Sequence, residues 1–383
     1  MERDEIRQLA ADLVAIPSVN PLDGPVGAEK GEAALAAFVQ SKLGEAGIAV
    51  ELREAVPGRP NVVARLPGES DEALWFDAHL DTVTGEGMEG PFSPRLEGDL
   101  LFGRGSADDK GGLAALMAAM LRVAARGVKP PLTVLFTGTA DEEHGMSGMR
   151  SLLASGLRAR GAVVAEPTGL EIVVAHKGVA RFTVATTGLA AHSSRPEAGA
   201  NAIYRMAKVV QALEHYAKGG VGREAHPLLG KATLSVGVIR GGEYVNVIPD
   251  RCEIQVDRRL LPGEEGKKAV SDVRAYLINA IEEELGLEIP GPNLLVPGLN
   301  MNVDDPWVRA VGVAVKHITG HFSLVGNVAT THAGFLAEAG IPTVVIGPGS
   351  MGQAHTATER LDLNQLEQAV GIYESLMQTG ASV

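Results

Sequence analysis

GGLAALMAAMLRVAARGVKPPLTVLF, residues 111–136, reads as a helix followed within a few residues by a strand. Its first part carries apolar residues at helical spacing and stops at Gly127, and LTVLF (132–136) is a short branched run of the kind that fills a sheet. The alternation continues both ways, with ALWFDAH (73–79) before it and SGMRSLLASG (147–156) and AVVAE (162–166) after it. Helical spacing also marks 6–16 and 28–46, which end at Pro17 and Gly47. Strands alternating with helices predict an α/β sheet. After Lys177 the grammar changes to strand-like ARFTVATT (180–187), helix-like NAIYRMAKVVQALEHY (201–216), strand-like ATLSVGVI (232–239) and CEIQVDRRL (252–260), and a helix near 264–285. The α/β pattern resumes with PWVRAVGVAVKHITG (306–320), FLAEAG (335–340), PTVVIG (342–347) and a last helix over 363–379. One domain, 1–176 and 296–383, is therefore split by an α+β insert over 177–295.

A chain of 383 residues is long enough for two domains, since single cores stop growing near ~250–300 residues. Hydrophobic residues make up 45% and charged ones 21%, with no apolar run of about 18 or more, which predicts a globular protein with no membrane span. A net charge of −13 opposes binding to nucleic acid or an anionic membrane. The single cysteine, Cys252, excludes an internal disulfide and suits a reducing compartment. The charged, helix-patterned start, MERDEIRQLAADLVAI, is unlike a secretory leader, so a cytoplasmic address is expected.

Ligands of an open α/β sheet gather beyond the carboxyl ends of its strands. His79 and Asp81 follow ALWFDA, Asp108 and Asp109 precede the helix at 111, Glu142 and Glu143 follow LTVLF, Glu166 follows AVVA, and His355 lies beyond PTVVIG. Each alone reads as a cap, a turn residue or a core histidine. Together, carboxylates converging without cations would repel one another, and a divalent metal resolves that conflict. Two imidazoles with several acids and no thiolate suit zinc, with cobalt or manganese as alternatives. The set exceeds the three ligands of a single open catalytic zinc, which points to two ions and a bridging carboxylate.

At HLDTV (79–83), GRGSADDKGG (103–112), DEEHG (141–145), AEPT (165–168) and GPGSMGQAH (347–355) the chain resembles the di-zinc amidohydrolase and metallopeptidase family of acetylornithine deacetylase, succinyl-diaminopimelate desuccinylase, aminoacylase and glutamate carboxypeptidase. The resemblance implies a mixed-sheet α/β catalytic domain of zinc-peptidase type with an inserted α+β lid and dimerisation domain. It implies Asp108 as the bridging carboxylate, His79 and Glu166 on one metal, and Glu143 and His355 on the other. Asp81 would fix the tautomer of His79, and Glu142 would be the general base. Asp141 would shape the loop, His144 would be a bystander, and the Asp108–Asp109 peptide would be cis. HSSRPEAGANAI (192–203) matches the insert's signature, so the resemblance makes the protein a homodimer in which His192 stabilises the oxyanion in the partner's site. NVIPD (246–250) and VDRRLLPGE (256–264) imply a polar lid contact, Asn246, and a carboxylate-binding arginine, Arg259 in preference to Arg258.

The expected activity is hydrolysis of the amide of a small N-acyl amino acid, acetylornithine deacetylase-like. The alternatives are a desuccinylase, an exopeptidase acting on short peptides, and a non-catalytic metal-binding protein. G-x-S-x-G, HExxH and Walker A patterns are absent, consistent with an attacking water in place of a side-chain nucleophile. One departure bears on specificity: Thr331, His332, Ala333 and Gly334 stand where many relatives carry an acid and a basic residue.

Overall fold

The computed structural model describes residues 1–22, 31–281 and 284–380. It divides into two compact units: Met1–Val174 with Asn300–Val325 and Thr331–Val383, and Ala175–Leu299 with Gly326–Thr330. Residues 296–299 and 326–330 thus pack with the second unit.

In the first unit the early strands are β1 (Ala49–Val56), β2 (Arg59–Leu66), β3 (Ser70–His79), β4 (Arg95–Glu97), β5 (Leu100–Phe102), β6 (Leu132–Thr139) and β7 (Gly161–Val164). The main sheet runs β1, β2, β6, β3, β7, then Thr343–Val345 and Ile172–His176. From β6 to Thr343–Val345 all neighbours are parallel, whereas β1, β2 and the pairing of Val345 with Val173 are antiparallel. The sheet is mixed. Four adjacent parallel strands consequently end on one edge, which is where the loops after His79, Thr139, Val164 and Val345 emerge. β1 carries no clear strand signal, because ELREAV mixes charged and apolar residues at a sheet edge and is exposed or half-exposed throughout; β2, between β1 and β6, is mostly buried.

The helix Lys110–Ala125 is buried along most of its length, and packs between the sheet and the helices Arg3–Ala15 and Leu363–Thr379. Its Leu113, Leu116, Met117 and Met120 share one core with Phe76, Phe136, Trp307 and Tyr373. Its first turn is crowded: a Cβ on Gly112 would lie 2.2 Å from Asp109 Oδ1 and 2.7 Å from Ala165 Cβ, so no larger residue fits there. The second helix, expected over 28–46, is Ala33–Glu45; positions 28–30 lie outside the described residues. A small sheet pairs β4 with β5 and β5 with Arg360–Asp362.

The second unit is an antiparallel sheet ordered Val221–His226, Gly230–Gly241, Arg251–Leu260, Gly178–Thr187, the last also pairing with Leu287–Glu288 and Pro292–Val296. Alternation along Arg251–Leu260 sends Cys252, Ile254 and Val256 into a core with Met206, Val209 and Leu213 from the helix Ala202–Lys218 and Val273 and Leu277 from the helix Gly266–Ala280. That same alternation separates two neighbouring arginines. Arg258 takes the buried face and pairs with Glu264 at 3.1 Å, while Arg259 takes the other face, partly exposed.

Candidate metal centre

The first unit brings seven of the anticipated residues to one sheet edge. His79, the last residue of β3, points its Nε2 at Asp108 Oδ1, 2.9 Å away. The other Asp108 oxygen, Oδ2, lies 3.3 Å from His355 Nε2, so this carboxylate offers one oxygen to each imidazole. His355 Nε2 also lies 3.2 Å from the Glu143 carboxylate. Ligand atoms of His79, Asp108 and Glu143 all fall within 4.8 Å of one another. The Asp108–Asp109 peptide is cis.

Charge within the cluster is unbalanced. Glu142, Glu143 and Glu166 are all pushed above the usual carboxylate range, first by burial and then by neighbouring carboxylates: Glu166 on Glu142, and Asp108 on Glu143 and Glu166. Burial would raise Asp108 too, but its contacts with His355 and His79 hold it well below that range. Contacts with Asp108 and Glu143 lift His355 to about 10. Two imidazoles are far too little positive charge for four buried acids. One imidazole and two carboxylates, His79, Asp108 and Glu143, gathered within reach of a common centre, with His355 Nε2 against both carboxylates, fit a divalent cation.

His79 faces Asp81 with its second ring nitrogen. Its Nδ1 lies 2.9 Å from the backbone carbonyl of Asp81, an acceptor for the ring N–H, and 3.6 Å from the carboxylate. The Asp81 carboxylate is instead engaged from three sides. Oδ1 accepts the Glu142 N–H at 3.0 Å, and Oδ2 accepts the Glu143 N–H at 3.1 Å and the Asn20 amide at 2.7 Å. Asp81 thereby fixes the backbone from which both glutamates project.

The DEE loop has a second anchor. Asp141, at φ 66°, occupies the left-handed region that non-glycine residues enter only when held there. Its Oδ1 accepts Asn20 Nδ2 at 3.2 Å and an Arg59 guanidinium nitrogen at 3.0 Å, and its own N–H donates to Glu32 Oε1 at 3.0 Å. Arg59 completes the knot with a two-pronged pair to Glu32, and all four residues are buried. Asn20, Glu32 and Arg59 escaped the sequence reading, because nothing local distinguishes them from surface polar residues. Replacing Arg59 by Met would strand two buried carboxylates, so a loss of about 3–5 kcal/mol in unfolding free energy is expected from guanidinium titration. A loss under about 1 kcal/mol would mean that the knot does not hold the loop.

His332, in the segment that departs from the family pattern, is also buried. Its Nδ1 lies 2.9 Å from Asp77 Oδ2 and 3.2 Å from Thr139 Oγ1. Asp77 takes the Thr137 hydroxyl on its other oxygen, and Thr137 accepts the Trp75 indole N–H at 2.7 Å. Because Trp75, Asp77 and His79 alternate along β3, this chain of polar contacts lies on the same face as the metal-site imidazole. The sheet thus holds His332 through Nδ1, while its Nε2 is buried with no hydrogen-bond partner among the described residues.

The remaining residues lie in the second unit. His192 is exposed on the short strand Ala191–His192, opposite Val247 and beside the loop of Asn246, whose carbonyl accepts the Ser193 N–H at 3.0 Å. Arg259 pairs with Asp257 at 2.7 Å and reaches Thr330 Oγ1 at 3.3 Å.

Comparison with known proteins bears on these geometries. Residues 75–379 match peptidase family M20/M25/M40. The chain is 32% identical over 347 residues to an acetylornithine deacetylase of Myxococcus xanthus, covering 86% of this chain and 87% of that one. It is 28% identical over 398 residues to the N-formyl-4-amino-5-aminomethyl-2-methylpyrimidine deformylase of Halalkalibacterium halodurans, covering 96% and 92%. Its fold matches that of an M20 family metallo-carboxypeptidase from Sulfolobus solfataricus with a TM-score of 0.81, at 19% identity and with 100% of both chains covered.

Proposed function

The chain belongs to peptidase family M20/M25/M40 and is a metal-dependent amidohydrolase, and from that premise we propose that it removes the acyl group of a small N-acyl amino acid. The observation that carries this reading is Asp108, which turns one oxygen toward His79 and the other toward His355. In this reading His79 and Glu166 would hold one divalent ion and Glu143 and His355 a second, Asp108 would be shared between them, and zinc would be the native metal. Bound ions would polarise the scissile carbonyl and make water nucleophilic near neutral pH. Glu142 takes a proton from the attacking water on its carboxylate and returns it to the leaving nitrogen, so one residue serves as base and then acid. Asp81 keeps the two glutamates diverging, one toward metal and one toward water.

Arg259 binds the substrate's free carboxylate through its planar guanidinium, with Asn246 as a polar contact. N-acetylornithine is the first choice of substrate. Both curated relatives named above are deacylases by name, which supports an acyl-removing enzyme over an exopeptidase. In this reading the enzyme is a cytoplasmic homodimer. In support, the second unit exposes Ile203, Tyr204, Ile239, Tyr244, Val245 and Val247, and Val247 lies opposite His192 in a short two-stranded ladder. Among the described residues no helix is long and apolar enough to cross a membrane.

Metal analysis of the reconstituted protein, coupled to kcat/KM on N-acetyl, N-succinyl and dipeptide substrates, tests the reading. Close to two ions per chain and an N-acetyl preference are expected. Full activity at one ion would remove the spanning role of Asp108, and a tenfold succinyl preference, about 1.4 kcal/mol in transition-state binding, would reverse the substrate order.

A further inference from the structure

Glu359 lies four residues beyond His355 and was not singled out by any motif, yet it is among the most enclosed acids of the first unit, with no exposed surface. The small sheet explains how it gets there. Arg360 pairs with Phe102, so Glu359 sits opposite Gly103, whose N–H donates to the Glu359 carbonyl at 3.3 Å. From that position its carboxylate turns into the 105–108 loop. Oε1 accepts the N–H groups of Ala107 at 2.9 Å and Asp108 at 3.1 Å, and Oε2 accepts the N–H of Gly105 at 3.0 Å and the Arg104 guanidinium at 2.5 Å.

Four donors on one carboxylate is close to its full capacity, and three of them are backbone. Arg104 extends the anchorage by donating Nε to the Thr84 carbonyl at 3.0 Å, and its own N–H goes to the Pro91 carbonyl at 2.7 Å. A loop whose N–H groups converge on one anion has little freedom to rotate the residue at its end. That residue is Asp108, whose two oxygens must face different imidazoles.

We propose that Glu359 is the positioning residue of the metal centre: by collecting the N–H groups of the 105–108 loop it sets the direction of the Asp108 carboxylate and ties that loop to the segment carrying His355. The inference rests on the metal-binding reading given above. It places the control of a metal-spanning carboxylate in a group that itself touches no ligand atom.

Glu359→Gln tests this, because an amide keeps the volume but turns an NH2 donor toward N–H donors on one side or the other. Two readouts are taken on folded protein well below its melting temperature. In the metal-free protein, hydrogen exchange at Gly105, Ala107 and Asp108 is expected to accelerate at least about tenfold while amides of β3 and β6 are unchanged, since opening is confined to the loop. In titrations with cobalt followed by visible absorption, affinity is expected to fall about 10- to 100-fold. Glu359→Asp keeps the charge but loses reach, so it is expected to show both effects; it also replaces Glu359→Gln if that variant does not fold. A folded variant with wild-type loop exchange and wild-type cobalt affinity, whatever its melting temperature, would overturn the proposal. A wild-type protein that takes up no cobalt pair, but whose loop still loosens in Glu359→Gln, would strike down the two-metal reading and leave the loop anchor standing.

Discussion

Glu142→Gln is expected to keep its metal and its KM and to lose about 10²- to 10⁴-fold in kcat, the range attributed to a positioned general acid–base group. The neighbouring change, Glu143→Gln, is expected to act through metal affinity instead, so that part of its rate returns when metal is supplied in excess. The two glutamates are adjacent in sequence, similarly buried and both pushed upward in pKa. What separates them is direction. Glu143 places its carboxylate 3.2 Å from His355 Nε2, inside the cluster with His79 and Asp108, whereas no hydrogen bond ties the Glu142 carboxylate to a described residue. Consecutive side chains leave the backbone on different sides, and the Asp81 oxygens lock the two N–H groups at 3.0 and 3.1 Å so that the difference persists. An isosteric amide at Glu142 cannot take a proton, yet it removes no ligand and leaves the loop anchor intact. Steady-state kinetics paired with metal analysis on both variants is the measurement. Near-normal kcat in Glu142→Gln would assign the proton transfer elsewhere.

The contrast between those two residues also marks what sequence could and could not supply. Polar residues at the ends of apolar runs are legible because parallel strands end on one edge, so His79, Glu142, Glu143, Glu166 and His355 could be gathered before any coordinates. Their supports could not. Glu32 and Arg59 lie 27 positions apart, and their pairing depends on how the chain returns along β2, an interior strand between β1 and β6. Glu359 required the small sheet of β4, β5 and Arg360–Asp362, whose three-residue strands carry too little pattern to be read. For Arg258 and Arg259 the resemblance prefers the second, and the register of Arg251–Leu260 turns Arg258 into the core and Arg259 out. Where a residue's role follows from local direction the sequence was informative; where it follows from a long-range hydrogen bond it was silent.

His192 carries the last and least local consequence. Its Nδ1 accepts the Ser194 N–H at 3.2 Å and lies 2.8 Å from the Ser194 hydroxyl, so in the neutral ring the proton belongs on Nε2. A surface imidazole held in that tautomer presents one N–H outward, the form needed to donate to a developing oxyanion. If the protein is a homodimer in which His192 acts across an isologous contact, each protomer's imidazole would serve the other's site. His192→Ala alone is then expected to lose about 10²- to 10³-fold in kcat with metal content unchanged. Mixed one to one with Glu142→Gln under subunit exchange, two nearly inactive proteins would recover about a quarter of wild-type activity, because half of the dimers are mixed and each of those has one intact site of two. Native mass spectrometry of the mixture establishes that exchange took place. Mixed dimers with no recovered activity would put His192 in its own protomer's site, or in neither, and would leave the tautomer fixed by Ser194 as a feature of the hairpin alone.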